Sequence, residues 1–149
     1  MAITGRASTD IDAPIERCWE VVEDVPTAPE WQGGLERMDV IERDEHGRAV
    51  LCDALSDAKV RKVMTRTRFT YEAPNRLAWT QEGKGDLKSM RGAWELEDLG
   101  DGRTRATYDL EVDLGRLGFI IRGPIVDAVR AVLVNPRPKE LAARVSSGS

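Results

Sequence analysis

Residues Ser8–Trp31 read STDIDAPIERCWEVVEDVPTAPEW. This stretch completes a strand predicted from Ile3 to Ile11, which is followed by DAP. We expect Asp12 to cap a helix and Pro14 to occupy its first position, because the φ of proline is helical and its missing N–H has no partner there. Four apolar side chains then recur at helical spacing: Ile15, Cys18, Trp19 and Val22. The pattern predicts a short helix that packs on other elements.

Two prolines, Pro26 and Pro29, end this helix, and the residues up to Trp31 predict one further helical turn. The large indole of Trp31 has two interpretations. It either fills the space between the helices and a sheet, or it contacts a ligand.

The composition is that of one soluble globular domain. The chain has 149 residues, of which 41% are hydrophobic and 32% charged. We expect a single domain over residues 1–149, with a disordered tail at 146–149.

The charge pattern argues against nucleic acid as a partner, because phosphate binding needs a clustered positive surface. The formal net charge is -4 and the sequence pI about 5.2. Basic residues concentrate only in Lys59–Arg68, where they alternate with apolar or hydroxyl residues. This alternation favours the solvated face of a strand, with RNA or anionic lipid contact as the alternative.

The location expected from the sequence is the cytoplasm, without stable membrane insertion. Cys18 and Cys52 share no metal-binding spacing and are typical of small buried side chains in a reduced protein. The N-terminus lacks a signal-peptide pattern, and the apolar stretches are shorter than the ~20 residues of a membrane span.

Most of the chain after Trp31 predicts an antiparallel meander, because short turns rich in glycine, asparagine and proline separate the alternating segments. The clearest alternation puts one face of the last strand on the buried side: Thr104, Ala106, Tyr108, Leu110, Val112 and Leu114. Because this face is largely apolar, another element must pack against it and supply the cover that shields it from water.

A C-terminal helix supplies this cover. Val126, Val129 and Leu133 form an apolar stripe that Leu141 and Val145 continue. The prolines in Asn135–Pro138 predict a break in the helix.

Four phrases resemble the START-like (SRPBCC) helix-grip superfamily, most closely its bacterial polyketide cyclase/dehydrase and lipid transport family. They are IDAPIERCWEVVED (11–24), PEW (29–31), YEAPNRLAWT (71–80) and GAWELEDLGDGRTRATYDLEV (92–112). The resemblance implies an α+β fold in which a curved antiparallel sheet of about seven strands wraps a C-terminal helix around a cavity. Ser8–Trp31 would then form the two short helices that close one end of it. Since this fold serves lipid transfer, quinone binding and polyketide aromatisation alike, it does not fix the function.

The candidate ligand-binding residues are the apolar positions expected to face the helix, together with one arginine. They are Trp31, Phe69, Trp79, Met90, Trp94, Tyr108, Leu110, Phe119, Arg122, Val126 and Val129. A cavity wall and a packed core have the same pattern, so both interpretations stay open. Arg122 either points into water or meets the carboxylate or carbonyl of a ligand. Gln81 is a candidate partner for the Tyr108 hydroxyl.

The case for an enzyme is weak, and no catalytic residue, metal site or cofactor is assigned. His46, the single histidine, lies in a predicted turn. Asp53 and Asp57 flank Ser56 but are equally typical of strand ends. Arg66 and Arg68 face away from the cavity unless a bulge reverses them.

The sequence therefore predicts a monomer or homodimer that binds a hydrophobic or amphipathic small molecule: a lipid, a polyketide or a quinone-like compound. The alternatives are a polyketide aromatase/cyclase that uses the same cavity, and an accessory protein that binds a quinone or a protein partner through its surface.

Overall fold

A computed structural model describes residues 2–147, which form one seven-stranded sheet with helical segments after its first strand and after its last. The strands are β1 (Ala2–Ile11), β2 (Leu35–Arg43), β3 (Ala49–Asp57), β4 (Lys62–Glu72), β5 (Arg76–Gln81), β6 (Ser89–Gly100) and β7 (Arg103–Asp113). The helices are α1 (Ile15–Glu23), α2 (Pro124–Leu133) and α3 (Arg137–Ser147), with 3₁₀ helices at Val25–Glu30 and Gly115–Phe119.

The sheet is antiparallel throughout, in the order β1-β7-β6-β5-β4-β3-β2. Strands β2 to β7 follow one another as neighbours, which confirms the predicted meander. Strand β1 pairs with β7, so β1 and β2 form opposite edges of the sheet. The segment that connects these two edge strands contains α1 and the first 3₁₀ helix.

The predicted alternation determines which side chains face inward. In β4, Thr65, Thr67 and Phe69 are buried. No register shift interrupts the pairing of β4 with its neighbours, so no bulge reverses Arg66 and Arg68. Both arginines bind carboxylates outside the cavity: Arg66 pairs with Asp53 at 2.9 Å and Arg68 with Glu82 at 2.5 Å.

Helix α1 buries the predicted stripe of Ile15, Cys18, Trp19 and Val22. Its N-terminus differs from the prediction, since Pro14 is the capping residue and no side chain caps the helix. The backbone of Pro14 is extended, with ψ 157°. The helix therefore starts at Ile15, and Asp12 stands two residues before the capping position instead of occupying it.

The C-terminal helix is broken between Leu133 and Arg137, as the prolines predicted. Helix α3 packs against α1, β1 and β7 and buries Leu141 and Val145. It continues through Ser147, so the first two residues of the expected tail are helical, and 148–149 lie outside the described residues. Helix α2 has no fully buried residue.

Candidate functional site

A cavity of about 160 Å³ lies between the inner face of the sheet and the C-terminal helical segment. All seven strands contribute to its wall, mainly with apolar side chains, and residues 129–137 contribute from the other side. Among the described residues, the only charged side chains in this wall are Arg130 and Arg137. The cavity therefore suits a largely apolar molecule.

One side of the cavity is a continuous aromatic surface. The ring of Tyr108 lies 4.9 Å from that of Trp94 and 5.6 Å from that of Trp79, and Phe69 follows 6.1 Å from Trp79. Gly92, the cross-strand partner of Trp79, leaves the space that the indole occupies. A Cβ atom at Gly92 would lie 2.5 Å from this indole.

Most of the predicted site residues line the cavity: Phe69, Trp79, Met90, Trp94, Tyr108, Leu110 and Val129. Trp31 contacts Trp94, with ring centroids 6.0 Å apart, but is not part of the wall. Contact of these residues with a ligand stays a prediction.

Three residues expected from the C-terminal helix lie elsewhere. Phe119 is 76% exposed, Arg122 is exposed, and Val126 packs, half-buried, in a second apolar cluster with Leu117. The prediction assumed one helical period from Phe119 onward. Instead a 3₁₀ helix ends there, and Gly123, with φ +60°, separates it from α2, so the period restarts.

Arg137 is the polar residue of the cavity that the sequence interpretation missed. Its side chain is 3% exposed, and Nη1 donates to the Gly33 carbonyl oxygen at 2.7 Å and to Glu140 Oε1 at 2.8 Å. Its guanidinium carbon lies 5.8 Å from the centre of the Tyr108 ring. A signal existed in the sequence: Arg137 precedes Leu141 and Val145 at intervals of four, on the buried stripe of α3.

Tyr108 is 6% exposed and lies beside this arginine. Burial raises the pKa of its phenol, and the positive charge of Arg137 opposes the rise. Gln81 is not its partner, because the Gln81 amide nitrogen donates to the carbonyl oxygens of Gly83 and Leu87, and Gln81 Oε1 accepts no hydrogen bond within residues 2–147. Tyr71, the only other tyrosine, donates its hydroxyl to the Ala49 carbonyl oxygen, and burial raises its pKa as well.

These two phenols should resist titration while the protein is folded. A pKa raised on folding contributes stability that is complete below the unfolded value, about 10, and is lost as pH rises toward the folded value. We expect tyrosinate absorbance near 295 nm to appear together with alkaline unfolding followed by circular dichroism. Ionisation of both phenols near pH ~10 in the folded protein would contradict this placement.

The groups considered for catalysis do not converge. His46 is exposed in its turn, and Asp53 pairs with Arg66 outside the cavity. Ser56 lines the cavity, whereas Asp57 accepts a hydrogen bond from the Lys59 backbone. Within residues 2–147, no group of three or more histidine, cysteine or acidic side chains is placed to hold a metal ion.

The two cysteines are buried free thiols. Burial raises the pKa of Cys52 to about 11, so this thiol is protonated and unreactive near neutral pH.

No helix among the described residues has the length and hydropathy needed to cross a membrane.

Known structures share this architecture across the whole chain. The START superfamily protein from Mycobacterium smegmatis is 19% identical with a TM-score of 0.80, and the alignment covers 99% of each chain. A protein from Thermus thermophilus is 23% identical with a TM-score of 0.82 and 99% coverage of each chain. The Zhui aromatase/cyclase from Streptomyces sp. R1128 is 15% identical with a TM-score of 0.81, covering 98% of this chain and 94% of that one.

These identities establish the START-like fold and no more. No curated protein matches the chain. The family model described as polyketide cyclase/dehydrase and lipid transport matches residues 11–135, which is most of the sequence and includes all the phrases that first carried the resemblance. The chain therefore belongs to the polyketide cyclase/dehydrase and lipid transport family.

Proposed function

We propose that the protein binds a hydrophobic or amphipathic small molecule, of lipid, polyketide or quinone-like character, in the cavity between the sheet and the C-terminal helical segment, without transforming it. The observation that carries this proposal is the apolar and aromatic wall of an internal cavity in a member of a hydrophobic-ligand family. The two buried free thiols suit a reducing, cytoplasmic compartment. The proposed function is compatible with a monomer and with a homodimer.

The size of the cavity suggests how it is filled. A volume of 160 Å³ is close to that of the roughly 150 Å³ cavities known to hold a single benzene ring. A larger ligand either extends through the open side of the cavity or requires part of the wall to move. Helix α2 is the element that can yield, because it has no fully buried residue and lies between Gly123 and the proline break.

Polyketide cyclisation is the second candidate function. It is favoured by one observation, the buried Arg137 beside the Tyr108 ring, since such groups can polarise a carbonyl. The outward orientation of Arg66 and Arg68 removes two further cationic groups from the cavity. Binding without turnover therefore remains the better-supported function.

The binding site can be tested with α-methylstyrene, an apolar probe with one aromatic ring. We expect the indole N–H signals of Trp79 and Trp94 to shift in ¹H–¹⁵N NMR spectra, because both side chains line the cavity. The signal of Trp19, which packs edge-on against Tyr71 away from the wall, is the internal control. Unchanged Trp79 and Trp94 signals at saturating probe would contradict the proposal.

A further inference from the structure

The guanidinium of Arg137 has one buried donor that the protein does not use. Among residues 2–147, Arg137 Nε is one of the few buried side-chain nitrogen or oxygen atoms without a hydrogen-bond partner. Nη1 of the same group is occupied, because it donates to Gly33 and Glu140. A buried donor without an acceptor costs free energy, which an incoming acceptor recovers. Because Arg137 is part of the cavity wall, a bound molecule can supply that acceptor.

The charge at this place is already balanced. Glu140 Oε1 accepts from Arg137 Nη1 at 2.8 Å, and Glu140 Oε2 accepts from the backbone N–H of Gly33 at 2.8 Å. A ligand carboxylate would bring a second negative charge next to that of Glu140 in a poorly solvated place. A neutral carbonyl oxygen accepts the Nε–H without this repulsion.

We propose that Arg137 Nε is the recognition site for a neutral carbonyl oxygen, so that the ligand is an apolar ketone, ester or quinone rather than a fatty acid. This inference rests on the proposed function and specifies its ligand. The carbonyl end of the ligand lies beside Arg137 and Tyr108. Its apolar part extends along the aromatic wall toward Trp79 and Phe69.

Three probes of nearly equal shape test this proposal. Acetophenone has a carbonyl, α-methylstyrene replaces that carbonyl oxygen by a methylene group, and benzoate carries a carboxylate. Calorimetric titration of the wild-type protein at neutral pH gives the three affinities. We expect acetophenone to bind more tightly than benzoate.

The variant Arg137→Lys removes the Nε donor while it keeps a positive charge near Glu140 and Gly33. We expect it to lower the ratio of acetophenone to α-methylstyrene affinity roughly tenfold, which is the size of one charge-assisted hydrogen bond. Arg144→Lys is the matched control, because Arg144 lies on the same helix, binds Glu30 at 2.9 Å and is not part of the cavity wall. That variant should leave the ratio unchanged.

The ratio separates recognition from a purely structural role. If Arg137→Lys lowers both affinities equally, or if benzoate binds most tightly to the wild type, the proposal is overturned while the proposed function stands. If no probe binds to the wild type, both fail. Thermal unfolding of each variant shows whether it is folded, and the ratio is independent of a common loss of binding-competent protein.

Discussion

Ala54→Phe is expected to weaken binding of the ligand by roughly a hundredfold or more, because the new ring occupies the space that the ligand needs. Ala54 lies in the middle of β3, is 8% exposed and lines the cavity. A phenyl group there fills much of a 160 Å³ volume without adding charge. The measurement is the amount of small molecule that solvent extraction and mass spectrometry recover per protein chain.

Ala78→Phe is the matched control for this substitution. Ala78 stands between Leu77 and Trp79, which both line the cavity, so its own side chain points to the opposite face of β5. The same chemical change there should leave ligand content at the wild-type level. Equal losses in the two variants would show that the ligand does not lie in the cavity.

Trp94→Ala is expected to lower the free energy of unfolding by about 3–5 kcal/mol, the range for truncating a large buried aromatic residue. Trp94 is 1% exposed and contacts the rings of Trp31 and Tyr108. Its removal deletes the ring that links Trp31 to Tyr108 and leaves a void. Urea denaturation followed by circular dichroism measures the change.

Trp31→Ala provides the comparison, since Trp31 is half-buried at the edge of the same cluster and should cost less. Equal stability of the two variants would contradict the larger contribution of Trp94 to the core. A bulky apolar ligand should also stabilise Trp94→Ala more than it stabilises the wild-type protein, because the cavity of the variant is larger.

The sequence predicted the sheet well because short turns and a period of two leave few alternatives for an antiparallel meander. The same alternation correctly placed Phe69, Trp79, Trp94 and Tyr108 on the inner face. It also placed Arg66 and Arg68 outside, where the structure finds them paired with carboxylates. On a strand, burial follows from sequence position once one face is known.

The helical side of the cavity was harder to predict. One residue with positive φ, Gly123, resets the helical phase, and this moves Phe119 and Arg122 out of the predicted wall. The importance of Arg137 depends on Gly33, which lies 104 residues before it in the sequence and which the fold brings next to Arg137 and Glu140. A pattern within one element cannot reveal such a contact.

The content of the cavity tests the central claim most directly. Purified wild-type protein is incubated with a bacterial lipid extract, separated from free lipid, and extracted beside Ala54→Phe and Ala78→Phe. We expect an equimolar hydrophobic compound in the wild type and in Ala78→Phe, and almost none in Ala54→Phe. A wild-type protein that retains no more of any compound than Ala54→Phe does would contradict this expectation.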